Sequence, residues 1–116
     1  NMLHTHSVAA GLDYIGVNPI LVDQWKKGRI RFEAVTDDEV TQALKLTMET
    51  EGLIPALESC HAFAQAVKEA PKMSPDESIL INMSGRGDKD IFTVADALDD
   101  EKWREFICQK AKEYED

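Results

Sequence analysis

Apolar and polar positions along this chain recur with two different periods, and the changes of period mark its elements. In "TDDEVTQALKLTMETEG" the apolar residues Val40, Ala43, Leu44 and Met48 return at steps of three and four, the spacing of one helix face. Thr36 followed by Glu39 makes a capping box, acids crowd the first turn where the helix dipole favours them, and Gly52 supplies the stop. The pattern predicts a helix from Thr36 to Glu51. A second helix is predicted from Pro55 to Ala70, with Leu57, Cys60, Phe63, Ala64 and Val67 on one side. Glu58, His61 and Gln65 fall at i, i+3 and i+7 on another side, a polar stripe that either faces solvent or lines a polar site.

Elsewhere the period drops to two or disappears into apolar runs. "RIRFEAV" sets Ile30, Phe32 and Ala34 against Arg29, Arg31 and Glu33, which reads as a strand with one wet face. "SILINM", bounded by polar residues, reads as a buried central strand over Ile79 to Met83. A short helix over "NPILVDQWKKG" has Pro19 in its first turn and Gly28 as its stop. "PKMSPDE" is a loop, "DIFTVADAL" a short helix, and "DDEKWREFICQKAKEYED" a terminal helix with Trp103, Phe106, Ile107 and Lys110 at helical spacing. The glycines of "SGRGDKD" therefore stand between strand and helix. In open α/β sheets such junctions collect ligands, because strand C-termini and helix N-termini leave backbone N–H groups pointing into a crevice.

Composition narrows the partners. A chain of 116 residues is about one domain, and its net charge of −9 argues against nucleic acid or an anionic membrane, which need a basic patch. The nearest candidate patch, "WKKGRIR", is short and reads as a solvated helix end and strand. No apolar run approaches the roughly 18 residues of a membrane span. Cys60 and Cys108 lie far apart without CxxC spacing, so neither a zinc site nor a disulfide framework is indicated, and a reduced cytoplasmic protein fits best. The opening "NMLHTHSVAAGLDY" has no basic segment and no compact apolar core, so it is not a signal peptide. It runs directly into a glycine-punctuated loop, which points to a piece of a longer chain.

Several chemical signals have plainer explanations. His4 and His6 share one face of an extended segment but lack two further ligands at convergent spacing. Cys60 and His61 suggest a nucleophile and its base, yet helix neighbours point about 100° apart and cannot form a dyad, so Cys60 is expected in the core. Arg86-Gly87-Asp88 spells an adhesion tripeptide, but three residues recur by chance and the composition gives no support. For "SGRGDKD" the plain reading is a charged loop whose glycines allow positive φ; the functional one presents the Ser84 hydroxyl and backbone amides to a ligand.

Four stretches taken together, "HSVAAGLDYIGV", "TDDEV", "EGLIPALESCHA" and "NMSGRGDKDIFTV", resemble the C-terminal part of the tryptophan synthase β subunit family in order and separation. The resemblance runs from Thr5 to about Leu98. It implies a fold-type-II pyridoxal-phosphate fold, here part of a three-layer α/β arrangement with an open, mostly parallel sheet flanked by helices. Residues 1–98 would be the family portion and 99–116 a C-terminal helical extension. The activity implied is β-replacement of L-serine with indole to give L-tryptophan, in a cytoplasmic β–β homodimer that receives indole from an α subunit.

Site residues follow from the same resemblance. Ser84 is implied to hydrogen-bond the pyridine nitrogen of the coenzyme, with Gly85 beside it in the cofactor-binding loop. A hydroxyl, unlike a carboxylate, does not hold that nitrogen protonated, which moderates the electron sink and favours elimination over transamination. Glu58 is implied near the coenzyme ring with a catalytic part. Asp13 resembles the residue that pairs with an arginine of a mobile domain when the active site closes. Backbone carbonyls of the loop through Tyr14 and Gly16 are similar to those that bind a monovalent cation.

The chain departs from the family's "SISAGLDYPGVGP" at Val8, Ala9, Ile15 and Asn18, and carries Cys60 where a serine is common. Ile15 replaces a proline beside the cation loop and puts cation binding in question. The Schiff-base lysine in its HKxN-type context and the "GGGSNA"-type phosphate loop are absent, and Lys89 lies in a different motif. The preferred reading is a portion of a β subunit that is catalytic only within the complete polypeptide. The alternative is a free-standing binding or scaffold module that kept this half-fold.

Overall fold

The computed structural model describes residues 4–114. Residues 1–3, part of the opening "NMLHTH", and 115–116, the end of the expected terminal helix, lie outside the described residues. Five helices follow one another: α1 (Pro19–Lys26), α2 (Asp37–Glu51), α3 (Leu57–Glu69), α4 (Ile91–Ala97) and α5 (Glu101–Glu113). Short 3-10 turns occupy Ala10–Leu12, Ala70–Lys72 and Gly87–Asp90.

The capping box of α2 forms as its sequence predicts. Thr36 Oγ1 accepts the Glu39 N–H at 3.3 Å, and Glu39 Oε2 accepts the Thr36 N–H at 2.8 Å. At the other end Gly52 takes φ +67°, a left-handed conformation in which a side chain would be strained. α2 and α3 pack on each other, and their facing sides make the core, in which Val40, Leu44, Leu57 and Cys60 are fully buried together with Ala9. The buried stripe of α2 closes on Thr47 rather than Met48, because Thr47 meets its hydroxyl's need by donating to the Ala43 carbonyl at 2.8 Å. Val67 of α3 is half exposed, while Ser59 is buried.

The expected sheet does not form. The segments Arg29–Val35 and Ile79–Met83 are irregular, and among the described residues the only β pairing is a single antiparallel bridge between Pro55 and Arg86. An α/β three-layer fold is therefore corrected to a helical one. Alternation and apolar runs report which side chains seek burial, but a strand exists only when a neighbouring backbone accepts and donates its ladder hydrogen bonds. Neither segment meets such a neighbour here. Leu80, placed at the centre of a buried strand by its sequence, is 98% exposed.

The molecule is flat, 62 × 43 × 19 Å, with a radius of gyration of 17.7 Å. A compact domain of this length would have about 13 Å. Tyr14, Ile20, Leu80 and Phe92 are all more than two-thirds exposed, so much apolar surface lies outside the α2–α3 core. Near the C-terminus, Trp103 stacks on Phe106 of its own helix and meets Phe92 at a tilt, the contact that ties α5 to α4. No helix among the described residues is long and apolar enough to cross a membrane.

Candidate functional site

The N-terminus of α3 and the loop 84–90 are joined by the Pro55–Arg86 bridge. Ala56 donates its N–H to the Gly85 carbonyl at 3.0 Å, and Gly87 donates to the Ile54 carbonyl at 2.7 Å. The approach is close enough that a Cβ on Gly87 would stand 2.3 Å from the Pro55 carbonyl oxygen. Glycine is required there for space. α3 has no cap from its own Ala56; instead Asp90 Oδ2 accepts the Leu57 N–H at 3.1 Å, a cap reaching across 33 residues.

Around this joint the side chains form two connected groups. Glu58 Oε1 accepts the Gly11 N–H at 3.0 Å, and Glu58 Oε2 accepts from Lys89 Nζ at 2.9 Å. Lys89 also donates to Asp90 Oδ1 at 2.6 Å. The hydrogen bond from Lys89 outweighs the cost of partial burial and holds the Glu58 carboxyl below the usual carboxylate range. Asp90 and then Glu58 hold the Lys89 ammonium above its ordinary value. Glu58 is thus a standing anion in a set orientation, and Lys89 is not a free amine. In the second group, Ser59 Oγ and Ser84 Oγ lie 3.2 Å apart, and Ser84 donates its N–H to Ser59 Oγ at 3.2 Å.

Of the residues singled out from sequence, the structure brings Glu58, Ser84 and Gly85 to this joint. The other members of the polar stripe turn inward to their own helix: His61 Nδ1 lies 2.9 Å from the Leu57 carbonyl, and Gln65 donates to Glu69 at 2.9 Å. Asp13, Tyr14 and Gly16 sit in an exposed loop before α1, and no ion pair or side-chain hydrogen bond involves Asp13 among the described residues. His6 faces Asp37 at 3.8 Å. Sequence reasoning missed Ser59 and Asp90, and set Lys89 aside. The sequence held one hint of such a contact: Ala56 before α3 offers no capping side chain, which leaves the first N–H groups of the helix to an acceptor from another segment or to water.

Cys60 is fully buried beneath this joint, with its Sγ 3.8 Å from the Pro55 carbonyl. Burial, and behind it the charges of Asp90 and Glu58, push its thiol up to about 11. Cys108 is exposed on α5. Iodoacetamide at neutral pH is therefore expected to label Cys108 and spare Cys60, with Cys60 reacting only as pH approaches 11 or the chain unfolds. Peptide mapping of the labelled chain reads the result; equal labelling at neutral pH would refute the buried placement.

The joint is a helix terminus bridged to a glycine loop on a helical scaffold, with the exposed Ser84 and the anchored Glu58 carboxylate beside it. No protein-family model matches the chain. Curated relatives do. The chain is 55% identical over 95 residues to the tryptophan synthase beta chain of Methylibium petroleiphilum, covering 82% of this chain and 23% of that protein. It is 44% identical over 106 residues to that of Helicobacter hepaticus (91% of this chain, 25% of the relative) and 50% identical over 98 residues to that of Anoxybacillus flavithermus (84% and 25%). The chain belongs to the tryptophan synthase β-chain family, as a C-terminal portion, and spans about a quarter of the length of these relatives.

Proposed function

We propose that this chain supplies the ring-facing side of a pyridoxal 5′-phosphate site in a β chain that replaces the hydroxyl of L-serine with indole, giving L-tryptophan. The observation that carries the reading is Ser84, exposed on the bridged glycine loop and 3.2 Å from Ser59, the neighbour of the anchored Glu58. The donor set suits the coenzyme: a neutral hydroxyl for the ring nitrogen, on a loop whose Arg86 is paired with Asp88. Lys89 is engaged by Asp90 and Glu58. When bound, the coenzyme supplies the electron sink that lets the β-substituent of an amino acid leave. Ser84 would orient the ring, with Gly85 letting the loop pass close to Ala56, and Glu58 would keep a fixed negative charge beside it.

The rest of the reading is built on the same family membership. Asp13, exposed and outside the cluster, is available to an arginine of a mobile domain. The loop through Tyr14 and Gly16 offers carbonyls to a monovalent cation, and 99–116 is the extension to which α5 (Glu101–Glu113), capped by its own Asp100, belongs. The working assembly is a cytoplasmic β–β homodimer that takes indole from an α subunit. The HKxN-type motif that carries the family's Schiff-base lysine is not among these 116 residues, and Lys89 is engaged by Asp90 and Glu58, so the chain alone is expected to be inactive.

In the full-length β chain, Ser84→Ala should weaken coenzyme binding by one hydrogen bond, on the order of 1 kcal/mol. Ser84→Asp should instead favour the protonated ring nitrogen, shifting the absorbance of the bound coenzyme and altering reaction specificity. Identical β-replacement kinetics in both variants would remove Ser84 from the ring.

A further inference from the structure

Ser59 is buried, and both of its hydroxyl contacts go to one residue, Ser84. Buried hydroxyls on helices often return their proton to a carbonyl one turn back, as Thr47 does. The Ser59 hydroxyl turns away from its own helix and meets the glycine loop. Its oxygen accepts the Ser84 N–H, and because Ser59 is buried and Ser84 Oγ is the one acceptor its proton meets among the described residues, we assign Ser59 as the donor of the Oγ–Oγ bond. With that acceptor role filled, the Ser84 proton has no partner at Ser59 and points to whatever stands in front of the loop. The pair works as a relay of direction: one buried donor decides which way an exposed hydroxyl donates.

From this geometry we propose that Ser59 is a positioning residue for the coenzyme ring, acting through Ser84 by fixing both its backbone and the direction of its O–H. The inference rests on the reading of Ser84 given above. A pyridine nitrogen is an acceptor only, so a hydroxyl facing it must donate. Without Ser59, the Ser84 hydroxyl can rotate and the loop loses one backbone anchor, so part of the ordering falls on the binding step. Glu58 precedes Ser59 but points to Gly11 and Lys89, so its contacts do not depend on the Ser59 hydroxyl.

The test is a double-mutant cycle in the full-length β chain, with Ser59→Ala, Ser84→Ala, the double variant and Ser59→Thr, read as the dissociation constant for pyridoxal 5′-phosphate and the absorbance of the bound form. Ser59→Ala should weaken binding about fivefold, within the range of one neutral hydrogen bond, and should have a clearly smaller effect once Ser84 is alanine, where only the backbone anchor remains to be lost. Ser59→Thr keeps a donor and should recover most of the affinity. Hydrogen exchange of the Ser84 amide, measured without coenzyme, should accelerate in Ser59→Ala. Losses that simply add in the double variant, or an unchanged affinity in Ser59→Ala, would overturn the proposal while leaving Ser84 on the ring. If Ser84→Ala itself leaves affinity untouched, the ring reading fails first and the positioning role falls with it.

Discussion

Replacing Gly87 by alanine is expected to destabilise the chain by on the order of 2–4 kcal/mol, from overpacking and a strained hydrogen bond together. The new Cβ would lie 2.3 Å from the Pro55 carbonyl oxygen and 3.0 Å from Ile54 Cγ2, and the first of these is backbone that cannot swing aside. Relief requires the loop to lift away, which strains the Gly87 N–H bond to Ile54. That bond and its neighbour from Ala56 are what hold Ser84 and Asp90 against α3, so the damage reaches the cap on Leu57 as well. Gly16→Ala is the control, because nothing lies within 4 Å of the added carbon, and its effect should stay within about 0.5 kcal/mol. Urea unfolding followed by far-ultraviolet circular dichroism compares the two. Equal midpoints would mean that the close approach of loop and helix does not exist.

Leu44→Ala should cost about 2–5 kcal/mol, the range for emptying a buried leucine site. Leu44 is 1% exposed and sits in a cluster with Ala9, Val40, Leu57 and Cys60. That cluster is small, and a domain is stable by only about 5–15 kcal/mol, so this one change should remove most of the cooperative unfolding transition. Leu46, on the same helix two residues away, is 45% exposed, and Leu46→Ala should cost under about 1 kcal/mol. A smaller loss for Leu44→Ala than for Leu46→Ala in the same urea titration would invert the assigned faces of α2.

The helices were legible in the sequence because their causes are local. Thr36, Glu39 and Gly52 cap α2 through atoms within one turn of the ends, and Pro19 and Gly28 bracket α1 in the same way. Cys60 could be assigned to the core by the 3.6-residue period alone, and its burial agrees. The family motifs were equally local, which is why Glu58, Ser84 and Gly85 could be named before their surroundings were known. Strands depend on remote backbone, and there the sequence misled: Ile30, Phe32 and the run Ile79–Met83 have the pattern of a sheet but no partner among the described residues to pair with. The site's supporting contacts have the same remote origin. Asp90 caps a helix 33 residues earlier, Lys89 reaches Glu58 across 31, and Ser59 meets Ser84 across 25, pairings that no periodicity encodes. What the sequence determined by itself was the set of helices and the family to which its motifs belong. Only the tertiary structure decided which charges neutralise one another, which hydroxyl is buried behind Ser84, and that Gly87 is needed for space rather than for its φ, because each of these depends on the distance between segments far apart in the chain.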